Sequence, residues 1–169
     1  MSNAVRRIGV FTSGGDAPGM NAVIRSVVRT SLHMGIECVG IRRGYNGLVH
    51  GDFVPLNFES VSGLSRSEDF RGEAGQEKAV ATCKLLGLEG VVGIGGDGTF
   101  RGLLELSRRG VAVVGVPCTI DNDIACSTYT IGFDTACNTA LDSIDKLRDT
   151  MQSHERCSVV EVMGRHAGH

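Results

Sequence analysis

The chain alternates short apolar runs with longer amphipathic stretches, and this alternation constrains its fold more than any other feature. The apolar runs are rich in β-branched residues and nearly free of charge; they span 8–11, 37–41, 91–94, 111–116 and 158–162. Such runs are typical of strands buried on both faces of a sheet. Helical patterns lie between them at 20–33, 76–86, 100–109 and 135–153. The sequence therefore predicts an α/β fold with a doubly wound, mainly parallel sheet and helices on both faces.

The helical pattern at 135–153 is strongly amphipathic. Apolar side chains recur in steps of three and four residues; they belong to Ala136, Ala140, Ile144, Leu147 and Met151. Other directions are taken by Asp142, Asp145, Lys146 and Asp149, so we expect one face of this helix to pack on a core.

Composition narrows the class of protein. The 169 residues are 41% hydrophobic and 21% charged, with a net charge of -2, which favours a globular protein without a bias toward nucleic acid or membrane. No run approaches the roughly 18 apolar residues of a membrane span.

Six cysteines without a CxxC pair, and no apolar leader, predict a cytoplasmic protein. His166 and His169 are interpreted as loop residues, because no third zinc ligand is in register with them.

Three of the predicted strands run directly into loops with functional residue types. The segment 13–21 is glycine-rich, 95–99 reads Gly-Gly-Asp-Gly-Thr, and 117–123 reads Pro-Cys-Thr-Ile-Asp-Asn-Asp. The carboxyl ends of parallel strands meet at one edge of a sheet, so we expect the three loops to form one composite site.

The residue types in these loops favour phosphoryl transfer. Glycine backbone lets a polyphosphate approach closely, and Asp97 offers a carboxylate suited to Mg²⁺. An extended backbone would place Asp121 and Asp123 on the same side, one as a base and the other as its electrostatic partner. The alternatives are plain glycine turns, an Asp97 that only caps a helix, and an Asx-rich turn at 119–123.

Several arginines are candidates for binding phosphate. Arg156 and Arg165 flank the predicted strand at 158–162, where they could clamp a phosphorylated acceptor. Arg25 and Arg29 are one helical turn apart and could form a second phosphate site. For each of these side chains, a solvated surface position is the alternative.

The motifs at 13–21, 95–99, 119–123, 130–136 and 163–165 together resemble the ATP-dependent 6-phosphofructokinases of bacterial type. The resemblance covers the N-terminal half of that family. It implies a nucleotide-binding domain at 1–130 and the start of a sugar-phosphate-binding domain at 131–169. It also implies transfer of the γ-phosphoryl group of MgATP to the 1-hydroxyl of fructose 6-phosphate, a glycolytic step.

The resemblance assigns roles to individual residues. Asp121 would be the base, with Asp123 beside it, while Thr119 would support the transferring phosphoryl group and Arg165 would contact it. The other implied positions are Gly15, Arg66, Gly96, Asp97, Gly98, Thr99 and Gly102 for ATP, with Asp97 also for Mg²⁺; Thr119, Ile120, Asp121, Arg156, Met163, Gly164 and Arg165 for the sugar phosphate; and Arg25, Arg29 and Arg148 for an ADP or phosphoenolpyruvate effector. Arg156 would act across a subunit interface, which implies a homo-oligomer, usually a tetramer.

The chain also departs from the family pattern. A glycine-rich segment before Arg66 is shortened, Cys118 stands where the family has glycine, and Phe58 stands where it has an effector-loop arginine. Pyrophosphate-dependent relatives carry Asp at position 98 and Lys at position 118, so Gly98 favours ATP as donor. The chain is about half of the family's length, and we interpret it as a piece of a larger enzyme. A pyrophosphate-dependent enzyme and a non-catalytic nucleotide-binding regulatory subunit are the alternatives.

Overall fold

The computed structural model describes residues 5–58, 60, 73–125 and 127–164. Strands and helices alternate along most of the chain. In order, they are β1 (Arg7–Thr12), α1 (Met20–His33), β2 (Glu37–Ile41), α2 (Tyr45–His50), β3 (Phe53–Leu56), α3 (Glu73–Leu85), β4 (Gly90–Gly95), α4 (Asp97–Arg108), β5 (Val113–Pro117) and α5 (Phe133–Ser153). None of these helices is long and apolar enough to cross a membrane.

The five described strands form one sheet in the order β3-β2-β1-β4-β5. All neighbours are parallel except β2 and β3, which are antiparallel. The chain first moves from β1 to β2 on one side and later returns to β4 on the other side of β1. This reversal creates a topological switch point beyond the carboxyl ends of β1 and β4, where open α/β sheets bind their ligands.

Helices cover both faces of the sheet, which confirms the doubly wound architecture. Val10 and Phe11 are neighbours in β1, yet they enter different hydrophobic clusters because successive strand residues point to opposite faces. The Val10 cluster packs under α1, with Met20 and Val28 fully buried. The Phe11 cluster packs under α2, α3 and α4, with Leu48 and Leu106 fully buried.

Two expectations for the end of the chain are wrong. Residues 158–162 form no strand, since a strand needs a hydrogen-bonded neighbour and the sheet ends at β5 within the described chain. Val159 is 96% exposed. Helix α5 does form at the predicted place, but none of its residues is buried, and Leu147 is 48% exposed. Its apolar face therefore has no core beneath it within the part of the chain described here.

The strand at 111–116 is confirmed in position but not in burial. The observed strand β5 runs from Val113 to Pro117 and is an edge strand, with Val114 60% exposed. The expected burial of this run on both faces of the sheet is therefore wrong.

Sequence analysis did not predict α2 and β3. Helix α2 has only six residues and contains Gly47, which lowers its helical signal. Strand β3 contains Pro55, a residue that sheets accept at an edge because no ladder donor is required there.

Candidate functional site

A cavity of about 300 Å³ lies beyond the carboxyl ends of β1, β4 and β5. The three predicted loops and one residue from the end of the chain form its walls. The lining residues are Gly14, Gly15, Asp16, Gly96, Asp97, Gly98, Thr99, Cys118, Thr119, Ile120, Asp121, Asp123 and Met163. The loops thus form one composite site at the switch point.

Hydrogen bonds join the first two loops into one unit. The Ser13 N–H donates to the Ile94 carbonyl at 3.0 Å, which continues the pairing of β1 with β4. The Thr99 hydroxyl, on the first turn of α4, donates to the Ser13 carbonyl at 2.9 Å. Thr99 is 1% exposed, so this bond lies out of water and fixes the start of α4 against the β1 loop.

The N-terminus of α4 faces the cavity without a side-chain cap. Gly96 is the N-cap residue and makes no side-chain hydrogen bond to the helix. Backbone N–H groups and the helix dipole favour an anion at such an end. A Cβ built on Gly98 would meet no atom within 4 Å. Packing within the described chain therefore does not require glycine at position 98.

Asp97 stands on the first turn of α4 at the rim of the cavity. Its carboxylate pairs with Arg101 one turn later at 2.8 Å, and its side chain is 55% exposed. No group of three or more His, Cys, Asp or Glu side chains in the described ranges is arranged to hold a metal ion. Mg²⁺ is commonly held by one or two carboxylates together with phosphate oxygens and water, so Asp97 fits as a single protein ligand for a nucleotide-bound ion.

Asp121 and Asp123 both line the cavity, but the expected extended backbone between them is wrong. Asn122 has φ of 47°, in the left-handed region that asparagine tolerates better than most residues. The Asp121 N–H donates to the Thr119 hydroxyl at 3.2 Å. A tight turn therefore brings the two carboxylates to one cavity.

Cys118 lies at the floor of the cavity, with no exposed side-chain surface. Burial raises the pKa of its thiol to about 11, and the nearby Asp16 carboxylate acts in the same direction. The thiolate is the reactive form of cysteine, so this side chain behaves as a small apolar group.

Cysteine labelling tests this packing. We expect iodoacetamide at pH 8 to modify the exposed Cys137 and Cys157 and to leave Cys38, Cys83 and Cys118 unmodified in the folded protein. Burial raises the pKa of each of the latter three thiols to about 11. Peptide mass spectrometry reports each site, and labelling in urea is the control. Labelling of Cys118 as fast as Cys137 would contradict the described cavity floor.

Several predicted residues lie away from the cavity wall. Gly102 lies on the second turn of α4, where a Cβ would fall 2.4 Å from the ring of Tyr45. Arg25, Arg29, Arg148 and Arg156 are exposed, and Gly164 follows Met163 with φ of 121°. The Arg29 guanidinium lies 5.9 Å from the ring centre of Phe58. Arg66 and Arg165 lie outside the described residues.

The structure adds residues that sequence analysis did not single out. Asp16 brings a fourth carboxylate to the cavity, in addition to those of Asp97, Asp121 and Asp123. Its place directly after Gly14 and Gly15 is the sequence signal that could have identified it. Tyr45 donates its hydroxyl to the Thr99 carbonyl at 2.5 Å and packs edge-on against Phe11. Tyr45 thus supports the first turns of α4 from α2, a helix that the sequence did not predict.

Fold and site together define a doubly wound α/β protein with an acidic, glycine-walled cavity at its switch point. This chain belongs to the phosphofructokinase family: the sequence model of that family, described as "Phosphofructokinase", matches residues 7–169. It is 56% identical to the "ATP-dependent 6-phosphofructokinase 1" of Thermus thermophilus and 55% identical to the ATP-dependent 6-phosphofructokinase of Clostridium botulinum. Both alignments cover 97% of this chain and 54% of the relative. The chain thus spans about half the length of these curated relatives.

Solved structures support the same family. The phosphofructokinase of Saccharomyces cerevisiae matches with a TM-score of 0.84 and 33% identity, over 96% of this chain and 26% of that one. The Pichia pastoris phosphofructokinase in the T-state matches with a TM-score of 0.79 and 27% identity, over 85% of this chain and 18% of that one.

Proposed function

We propose that this chain carries the phosphoryl-transfer site of an ATP-dependent 6-phosphofructokinase. The observation that carries the proposal is that Asp121 and Asp123 line the same cavity as the uncapped N-terminus of α4. The N-terminus of α4 offers backbone donors to a polyphosphate, and the two aspartates offer a base to an alcohol. The names of the Thermus and Clostridium relatives support ATP as the donor.

In the proposed reaction, the 1-hydroxyl oxygen of fructose 6-phosphate attacks the γ-phosphorus of ATP. The bond from that phosphorus to the β,γ-bridging oxygen breaks, ADP leaves with those electrons, and Asp121 takes the hydroxyl proton. Asp123 lies beside Asp121 in the cavity and stabilises the charge distribution around it. Positioning and electrostatics supply most of the catalysis in phosphoryl transfer, because the protein forms no covalent bond to the group.

The nucleotide would lie on the glycine wall of the cavity. Gly15, Gly96 and Gly98 present backbone to its phosphates, while Thr99 holds the two loops together and Gly102 gives room to Tyr45. Asp97 would hold Mg²⁺, which neutralises phosphate charge when bound. Arg66 is proposed as a further ATP contact.

The acceptor would lie beside Asp121 and Asp123. Thr119, Ile120 and Met163 join the two aspartates in the cavity lining. We propose Gly164, Arg165 and Arg156 as further contacts of the sugar phosphate, with Arg156 acting across a subunit interface in a homo-oligomer, most simply a tetramer.

A separate effector site is proposed at Arg25, Arg29 and Arg148, for ADP or phosphoenolpyruvate. The ring of Phe58 beside Arg29 brings no cation of its own, so we expect effectors to act weakly.

The free cysteines support a reducing compartment, and we propose the cytoplasm as the location.

A coupled assay for fructose 1,6-bisphosphate tests the proposed function. The full-length protein is supplied with fructose 6-phosphate, Mg²⁺ and either ATP or pyrophosphate, and its intact mass is measured on the same sample. Product with ATP supports the proposal, whereas product with pyrophosphate alone identifies the pyrophosphate-dependent enzyme. Nucleotide binding without product from either donor identifies a binding subunit.

Gly98→Asp tests how the donor is selected. A Cβ at position 98 meets no atom of the described chain, so the fold should accept the change. The added carboxylate beside Asp97 should repel the α-phosphate and weaken ATP binding about 100-fold, measured by calorimetry. Gly98→Ala is the matched control: it removes a helical glycine, which should raise the free energy of unfolding by about 0.5–1 kcal/mol and weaken ATP binding far less. Unchanged ATP affinity in Gly98→Asp would contradict the proposed location of the nucleotide.

A further inference from the structure

We propose that Asn122 and Thr130 are positioning residues, which hold the loop of Asp121 and Asp123 in the shape that directs both carboxylates into the cavity. The inference rests on the proposed function for its kinetic consequence. Neither residue lines the cavity, and neither was assigned a role from the sequence.

The Asn122 side chain connects its own loop to the segment that precedes α5. Its Oδ1 accepts a hydrogen bond from the Thr130 N–H at 2.8 Å, and its Nδ2 donates to the Thr128 carbonyl at 3.4 Å. The carboxamide thus faces residues 128–130, whereas the carboxylates on either side line the cavity. The left-handed backbone at Asn122, with φ of 47°, forms the turn that directs the carboxamide away from the two carboxylates.

Thr130 joins the same two segments at a second point. Its hydroxyl donates to the Thr119 carbonyl at 2.6 Å, and the residue is 3% exposed. The adjacent Ile131 N–H donates to the Pro117 carbonyl at 3.0 Å. The segment 128–131 is therefore bonded to the aspartate loop at Pro117, Thr119 and Asn122. Hydrogen bonds shielded from water are costly to leave unmade, so this bracing resists distortion of the loop.

The hydrogen bonds of the bracing all end on residues 117–122. A separate bond, from Thr99 to Ser13, joins the two glycine loops. Loss of the bracing should therefore misplace the base relative to the acceptor hydroxyl, while the Thr99–Ser13 bond keeps the glycine loops together. A misplacement of about 1 Å costs roughly 100-fold in rate, so the effect should appear in kcat and not in the KM for ATP.

Thr130→Val and Thr130→Ser test the hydroxyl in the full-length protein. Valine keeps the shape and removes the donor, so kcat should fall about 100-fold while the KM for ATP stays within about threefold. Serine keeps the donor and should restore kcat to within about threefold of the original protein. Thr139→Val is the matched control, because Thr139 donates to the Thr135 carbonyl at 2.8 Å on the exposed α5. A kcat in Thr130→Val equal to that of the control, or an equal loss in Thr130→Ser, would overturn the inference.

Asn122→Gly tests the carboxamide with a readout that does not depend on activity. Glycine accepts the positive φ, so the variant removes the side-chain bonds without adding backbone strain. Amide hydrogen exchange of Thr130 should accelerate at least tenfold, while the Cys118 amide, bonded to the Gly95 carbonyl at 2.9 Å, stays protected. Unchanged exchange at Thr130 would overturn the inference. If the original protein phosphorylates no fructose 6-phosphate, the proposed function fails and the exchange result still decides whether the bracing exists.

Discussion

An Asp121→Asn protein is expected to bind MgATP as the original protein does and to turn over about 1,000-fold more slowly. The amide has the size of the carboxylate but cannot accept the proton of the attacking hydroxyl, and a positioned base contributes roughly 10²–10⁴ in rate. The substitution keeps the size of the side chain and lies outside the glycine loops, so the nucleotide contacts should be unaffected. Steady-state kinetics with ATP and fructose 6-phosphate, together with calorimetric titration of MgATP, measure both quantities.

Two further variants make this result specific. Asp123→Asn removes the neighbouring carboxylate and should lower kcat by a smaller factor, because Asp123 supports the charge distribution and does not take the proton. Asp145→Asn changes an exposed aspartate of α5 and should leave kcat unchanged. If Asp121→Asn kept more than a tenth of the original turnover, the assignment of Asp121 as base would be wrong.

Gly132→Ala is expected to lower the free energy of unfolding by about 3 kcal/mol. Gly132 is the N-cap of α5 and has φ of 96°, a conformation that alanine adopts at a cost. Its Cβ would also fall 1.8 Å from the Pro18 carbonyl oxygen, so the β1 loop or the start of α5 must move. Urea denaturation measures the change in stability.

Gly110→Ala is the control that separates these two causes. Gly110 has φ of 86°, but a Cβ there would meet no atom within 4 Å. It should therefore lose only the backbone contribution, about 1 kcal/mol. An equal loss of stability in the two variants would mean that the contact between Gly132 and Pro18 does not exist in solution.

The local signals in the sequence predicted most of the sheet. Runs such as 38–41 and 91–94 are apolar throughout because both faces of β2 and β4 are covered, and this pattern distinguishes them from surface strands. Helix α1 was predicted at its observed bounds, since Met20, Ile24 and Val28 mark one buried face. The edge occupied by the loops followed from the parallel order, and so did most of the residues that line the cavity.

Features that depend on distant parts of the chain were not predictable. The burial of α5 was expected from its apolar stripe, but a stripe does not show what covers it. The backbone at Asn122 was predicted to be extended, because the partners of its side-chain hydrogen bonds, Thr128 and Thr130, lie several residues later in the chain. The packing of Tyr45 on Gly102 joins α2 to α4, and pairs so far apart in sequence leave no periodic signal.

The hydrogen bond between Thr99 and Ser13 limits which residues can occur at position 99 but not at position 13. Thr99 contributes a side-chain hydroxyl, which only serine or threonine can supply at that distance, whereas Ser13 contributes a backbone carbonyl that every residue possesses. Selection for a rigid nucleotide wall therefore restricts position 99 to two residue types, whereas a substitution at position 13 does not remove this hydrogen bond.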